Sequence, residues 1–263
     1  MTERTKGQPG ASGVQEETRA AEGQVEVNAS PERVWQALTD AGELVRWFPL
    51  DAKVDPGLGG TVYLSWLNEV AASTEIMVWD PPRHLRTAWS FHEEGPSQVT
   101  DYYLETRGGR TVVRAVTSGF PMDPSWDGWV EGTNRGWAFE LRSLKHYLER
   151  HAGEPRHVAY LRRRIPISNQ EAWLRLAGDR DLAPWLTGGQ VFDERPAGQH
   201  AAIVNDPKDA LFRVSVEPGA PGTDQREIVL WLSAWGDQAD RVNELRTRWV
   251  GALGRLFPEG QAA

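Results

Sequence analysis

The sequence predicts an α+β fold in which a curved antiparallel sheet grips one long helix, followed by a second, reduced copy of that arrangement. Three observations carry the expectation. Short alternating runs joined by Pro, Gly and Asp turns fill Asp51 to Phe120, the pattern of consecutive antiparallel hairpins. One long stretch with helical spacing follows them, and such a helix covers the concave face of a strongly curved sheet. Segments of the first half then recur, in order, in the second.

The elements follow in turn. "GQVEVNAS" alternates Val25 and Val27 with polar residues, as a half-buried strand does. Ser30 offers an N-cap oxygen, and Pro31 takes the first helical position, where its missing N–H is of no consequence. Val34, Trp35 and Leu38 share a helical face. Gly42 ends that helix, and "ELVRWF" makes a second short turn that directs Trp47 and Phe48 inward. Six strands are read from "DAKVD", "TVYLSWL", "STEIMVWD", "LRTAWSF", "QVTDYYLET" and "TVVRAVTSGF". From Asp127 to Arg150, the positions Val130, Trp137, Leu141, Leu144 and Leu148 recur at helical intervals. Gly132 and Gly136 inside this helix predict a close approach of a neighbouring element or a bend.

"ASPERVWQAL" is matched by "ISNQEAWLRL" and "ELVRWF" by "DLAPWL", so that Trp35 pairs with Trp173 and Trp47 with Trp185 at one common offset. "VWDPPRHL" then matches "VNDPKDAL", and "GWAFELRSL" matches "RWVGALGRL". The offset shrinks stepwise, as it does when a copy has lost loops and strands. The expected organisation is a disordered polar tail over 1–22, a first domain over 23–152, a linker over 153–157, a reduced second domain over 158–258 and a tail over 259–263. The smaller copy is expected to act as a partner or lid.

"ASPERVWQALTDAGELVRWF", the "GLGG" turn, "VWDPPRHLRTAW", "GRTVVRAVTSGF" and "GWAFELRSLKHYLE" together resemble the SRPBCC (START-like) superfamily. They are most similar to its branch related to the activator of the ninety-kilodalton heat-shock chaperone's ATPase. The resemblance runs from about Gln24 to Arg150. It implies a helix-grip fold with a cavity between sheet and C-terminal helix, often for an apolar ligand, and no one shared reaction. Co-chaperones of the branch carry a separate N-terminal chaperone-binding domain, with no counterpart in the polar stretch before Gln24.

Composition narrows the function classes. The net charge of −8 repels a phosphate backbone, so nucleic acid is not an expected partner. The dense basic run Arg162 to Arg164 reads as the solvated start of a strand. Without cysteine there are no disulfides, thiolate metal sites or cysteine nucleophiles. The N-terminal stretch lacks the apolar core of a signal peptide, and no run reaches membrane-spanning length, so the expected setting is the cytoplasm, with no membrane partner. Thirteen tryptophans suit cavity walls as well as cores.

The six histidines form neither a helical pair nor a His-x-His strand pair, so neither a metal site nor a cofactor is expected. Nucleophile-elbow, Walker and dinucleotide motifs are absent from the sequence. Strand parity supplies the candidate pocket. Taking Leu85 and Trp89 as inward places Thr87 on the same face. The matching sets are Val62, Leu64 and Trp66; Ile76 and Val78; Thr100, Tyr102 and Leu104; and Val113, Ala115 and Thr117. The long helix adds Trp137 and Leu141. From these, Leu64, Trp66, Ile76, Thr87, Trp89, Tyr102, Leu104, Val113, Thr117, Trp137 and Leu141 are the candidate ligand-binding residues. They either line a pocket or fill the space, and a one-residue register error would exchange the faces.

No catalytic residue is assigned. Tyr102 is the best inward proton donor, Asp101 and Tyr103 sit on the opposite parity, and Glu75 and His92 fit a solvated face. The expected function is non-catalytic binding of a small apolar or aromatic molecule. The alternatives are a cyclase-, dehydratase- or hydrolase-type enzyme using Tyr102, and a co-chaperone-like module that associates with a chaperone or with itself.

Overall fold

The computed structural model describes residues 17–66, 71–89, 98–218 and 225–262; His92 lies outside them. The first half runs β1 (Thr18–Val27), α1 (Pro31–Thr39), α2 (Ala41–Leu44), then β2 (Asp51–Asp55), β3 (Thr61–Ser65), β4 (Ala71–Asp80), β5 (His84–Trp89), β6 (Gln98–Arg107) and β7 (Arg110–Pro121). A 3₁₀ turn at Pro124–Trp126 leads into α3 (Asp127–Arg150). The strands form one antiparallel sheet in the order β1-β7-β6-β5-β4-β3-β2. The helix-grip expectation holds: a meander wraps a single long helix.

β1 starts at Thr18, inside the segment expected as a tail. β7 runs on to Pro121, and the ladder pairs Ala20, Ala21 and Glu22 with Ser118, Thr117 and Val116. Backbone groups along the end of β7 need partners, and this stretch supplies them.

Local chemistry sets the helix starts. Ser30 Oγ accepts from the Arg33 N–H at 3.3 Å, and Asp40 Oδ1 accepts from the Glu43 N–H at 2.9 Å. Trp47 is fully buried and donates from Nε1 to the Ala37 carbonyl at 2.8 Å, tying the second turn to the first helix. α3 lies closely against β1 because of Gly23, where an added Cβ would fall 2.8 Å from the Trp137 Cβ. That is where the close approach occurs. At Gly132 only the end of the Arg135 side chain lies within 4 Å, and nothing does at Gly136.

The second half repeats the order with fewer strands: β8 (Arg156–Ile165), α4 (Asn169–Gly178), α5 (Ala183–Thr187), β9 (Gln190–Arg195), β10 (Gln199–Val204), β11 (Ala210–Pro218), β12 (Arg226–Trp235), α6 (Ala239–Leu256) and β13 (Gln261–Ala262). Its sheet order, β13-β8-β12-β11-β10-β9, parallels the first sheet with two meander strands fewer. Ser168 caps α4 as Ser30 caps α1, accepting from the Glu171 N–H at 3.2 Å. β8 begins at Arg156, inside the expected linker, because the ladder to β12 starts with the Arg156–Trp235 pair. The expected tail contains β13, which pairs with Arg163 and Arg164. Those arginines are not a solvated strand start: Arg164 Nε meets Glu227 Oε1 at 2.9 Å, Arg162 also pairs with Glu227, and Arg163 Nε donates to the Phe257 carbonyl at 2.8 Å.

α3 is shared by both halves. Trp137, Leu141 and Leu144 pack into the first core, while Phe139 joins Ala201 and Trp231 of the second sheet. The opposite face of that sheet packs on α6 through Trp249, Leu245 and Leu253. Among the described residues, no helix is long and apolar enough to cross a membrane.

Candidate cavity between the first sheet and α3

A cavity of about 310 Å³ lies between the concave face of the first sheet and α3, near the lower end of the range for small-molecule sites. One helical stripe closes it. Trp129, Thr133, Gly136, Trp137 and Glu140 recur at the spacing of one α-helical face and all border the space. Gly136 and Thr133 leave room that larger residues would take. Trp129 remains 46% exposed.

Of the residues expected from strand parity, Leu64, Trp66, Thr87, Trp89, Tyr102, Thr117 and Trp137 line the cavity. Ile76, Leu104, Val113 and Leu141 do not. They face the same way but are packed into the first core, with exposures of 0%, 6%, 0% and 1%. Parity identifies a face of a strand; it does not say where along that face the helix stands off. Phe48, Leu38 and Leu44, from the α1–α2 hairpin, also reach the wall.

Aromatic rings build much of the enclosure. Trp137 meets Tyr102 edge to face with centroids 5.6 Å apart, and Phe48 meets Trp66 the same way at 5.2 Å. Trp137 Nε1 donates to Thr117 Oγ1 at 3.0 Å, and that hydroxyl lies 3.0 Å from Thr100 Oγ1. These two bonds use the indole N–H and one of the two hydroxyl hydrogens. Thr74 likewise donates to the Val62 carbonyl at 3.1 Å.

Among the described residues, two ionisable side chains border the cavity, Tyr102 and Glu140. Glu140 keeps partial exposure because it faces the hollow, yet its Oε2 is fully enclosed and has no hydrogen-bond partner among the described residues. Burial pushes its carboxyl up to about 8, outweighing the opposing pull of Arg156 and Arg213. Burial, and then the Glu140 charge, raise the Tyr102 phenol. Arg156 is pushed down to about 10 by burial, against the pull of Glu140. Its guanidinium sits 5.7 Å over the Trp231 ring and donates through Nη2 to Phe48 and Pro49 carbonyls. Arg213 lies over the Phe139 ring at 5.4 Å.

The sequence reading missed Glu140. The available signal was its place on the helix, three residues after Trp137 and four before Leu144, where a charged residue interrupts an otherwise inward stripe.

Asp101 and Tyr103, on the opposite parity, are engaged outside the cavity. Arg86 Nε reaches Asp101 Oδ1 at 2.8 Å, and His84 Nε2 lies 2.6 Å from the same oxygen. Tyr103 stacks on His84 with centroids 4.5 Å apart. Together with the Arg86 bonds, those from His84 hold the Asp101 carboxyl below its ordinary value despite burial. Glu75, which pairs with Ala88 in the ladder, is exposed.

A histidine cluster lies where the halves meet. Ligand-type atoms of His146, His151 and Asp209 fall within 4.8 Å of one another. The expectation of no metal site rested on spacing within single elements, and Asp209 joins from the turn before β11. The members already engage their neighbours: His146 Nε2 is 2.9 Å from the Asp209 carbonyl, His151 Nδ1 is 3.0 Å from Glu154, and Arg150 holds the Asp209 carboxylate. His151 also stacks on Trp235 with centroids 4.9 Å apart. The cluster ties the end of α3 to Asp209 and Trp235.

Comparison with known proteins adds the following. Residues 28–149 match the family model described as activator of Hsp90 ATPase homolog 1-like protein. Among solved structures, the chain is similar to a protein from Mesorhizobium loti, at 22% identity over 51% of this chain and 98% of that one, with a TM-score of 0.46. It is similar to the Aha1 dimer from Colwellia psychrerythraea at 24% identity over 51% and 99%, with a TM-score of 0.45. DynU16, from the dynemicin biosynthetic locus, shares 19% identity over 89% of this chain and 96% of its own, with a TM-score of 0.45. No curated protein matches the chain.

Proposed function

We propose that the part of the chain matching the activator of Hsp90 ATPase homolog 1-like family model, residues 28–149, holds a small, mainly apolar or aromatic molecule between its sheet and α3. The observation that carries the reading is the cavity itself, about 310 Å³ with walls dominated by Leu, Trp, Phe and Tyr. Well-packed cores leave few voids of that size. The C-terminal half, read as a reduced second copy, serves as a partner that backs α3.

The test fills the hollow without disturbing its frame. Nothing lies within 4 Å of a Cβ added at Gly136, so Gly136→Leu extends into the cavity from a helix it also favours by about 1 kcal/mol. A panel of fatty acids, aromatic polyketides and isoprenoids should change tryptophan fluorescence and melting temperature in the parent protein. The response should fall at least tenfold in the variant. A panel that leaves the parent protein unchanged in both readouts defeats the proposal.

A second reading, association with the ninety-kilodalton chaperone, is favoured by the family match alone. Pull-down with the purified chaperone, combined with an ATPase assay, separates it from the first.

A further inference from the structure

We infer that His146, His151 and Asp209 form a binding site for one divalent transition-metal ion of the zinc class, which clamps the end of α3 to the turn before β11. The site lies apart from the cavity and does not depend on the small-molecule reading.

The ligand set is assembled across elements. His146 sits near the end of α3, His151 caps that helix, and Asp209 precedes β11. The two histidines are 4% and 9% exposed, with ring centroids 5.0 Å apart. His151 Nε2 lies 3.1 Å from Asp209 Oδ2, and His146 Nε2 lies 3.8 Å from Asp209 Oδ1. Bonds of about 2.0–2.1 Å in a tetrahedral zinc site separate neighbouring ligand atoms by about 3.3 Å. The two distances bracket that requirement.

His151 supplies the observation that asks for a cation. Its Nδ1 lies 3.0 Å from Glu154 Oε2, and a carboxylate there accepts the Nδ1 hydrogen. Nε2 of the neutral ring is then a lone pair, enclosed and beside a carboxylate oxygen. Two acceptors at that separation repel unless positive charge lies between them. A second ring proton meets the need poorly. Asp209 Oδ2 is close, yet it stands off the line of an Nε2–H bond, and Nε2 has no hydrogen-bond partner among the described residues. An ion bonded to both atoms would place the oxygen about 40° off the axis of the ring nitrogen, which is the kind of offset seen. Glu154 fits as well, since a histidine ligand ordinarily donates its other N–H to a carboxylate that orients the ring.

His146 and Arg150 oppose loading. His146 Nε2 bonds the Asp209 carbonyl at 2.9 Å, so to ligate it must carry its one proton on Nδ1 and exchange the carbonyl for the ion. Arg150 Nε holds Asp209 Oδ2 at 2.5 Å, but its side chain is 58% exposed and free to turn to solvent. Two imidazoles and one carboxylate favour zinc or nickel over magnesium and calcium, which prefer all-oxygen sets.

Cobalt(II), added to tag-free full-length protein at neutral pH, is the probe. It should give visible d–d bands that saturate at one ion per chain, and zinc but not magnesium should displace it. Zinc at a hundredfold excess over its Kd should raise the melting temperature by about 5–10 °C. His146→Gln, His151→Gln and Asp209→Asn should each weaken binding at least tenfold, and Glu154→Gln by about tenfold. Arg150→Gln, which releases Asp209, should strengthen it. His84→Gln, at the histidine–aspartate contact in the first sheet, should leave it unchanged. Circular dichroism checks that each variant is folded. Glu154 and Arg150 have exposed side chains, so their variants decide the matter if a histidine variant unfolds.

An absence of cobalt bands together with no zinc-dependent rise in melting temperature overturns the inference. Cobalt binding that the Glu154, Arg150 and Asp209 variants leave unchanged is adventitious and overturns it too.

Discussion

In the first sheet, strands such as β4 alternate exposed and buried residues, whereas β11 and β12 of the second are buried along nearly their whole length. The two sheets share an order of strand, two helices, meander and helix, but only the first borders the hollow. A strand covered on both faces reads as a continuous apolar run, and a strand covered on one face alternates. The second sheet has α6 on one side and α3 on the other, and its interior is filled by Trp249, Phe212 and Trp185 at centroid distances of 4.8 to 5.5 Å. Similar element orders thus accompany a filled core in one half and a cavity in the other. The difference arises from what packs on each face.

The sharpest way to break the comparison is to truncate a tryptophan in each half. Trp249 is completely buried, so Trp249→Ala should cost about 3–5 kcal/mol in urea unfolding. Trp66 borders existing space, so Trp66→Ala should cost about 1–2 kcal/mol. Equal losses would show that the hollow is no softer than the filled core.

A second measurement uses pH. The unfolded chain releases the Glu140 proton near the ordinary value of 4.5, while the folded chain holds it to about 8. Between those values the folded state binds more protons, so stability falls as pH rises. Glu140→Gln should remove that fall and stabilise the protein at pH 8 by about 2 kcal/mol, less than the full shift implies because the residue borders a solvent-accessible cavity. Parallel stability–pH curves for the two proteins would place Glu140 in an ordinary aqueous setting.

Smaller effects follow. Thr117→Val leaves the buried Trp137 N–H without its acceptor and should cost about 1–2 kcal/mol, with altered indole fluorescence. Ser30→Ala and Ser168→Ala remove matching caps from α1 and α4 and should each cost about 1 kcal/mol. Clearly unequal costs would mean that the two hairpins carry different shares of the stability of the protein.

Much of this frame was legible in the residues. The Ser30–Pro31 start, the six-strand meander and the α3 spacing each follow from local chemistry. The inward faces were legible where the pleat is regular, but the bulge between Ile76 and Val78 in β4 reverses them. Val78, expected inward, pairs with Arg86, while Trp79 pairs with Leu85 and meets Trp35 edge to face. Depth was not legible. Ile76 and Val113 differ from Thr87 and Tyr102 only in where α3 and the α1–α2 hairpin press down, which depends on contacts remote in sequence. Gly23 shows this well: its closeness to Trp137 joins residues far apart along the chain. Glu140 was misjudged by omission, because a charged helix residue reads as solvent-facing until a second sheet covers that side.

The shared position of α3 has a consequence for the acid in the cavity. Glu140 owes its high proton affinity to enclosure, and part of the wall behind α3 is the second sheet. The C-terminal half therefore works as a dielectric shield for a group it does not itself contain. Prising the halves apart should return Glu140 toward water and a lower proton affinity, and would at the same time remove the opposing pull of Arg156 and Arg213.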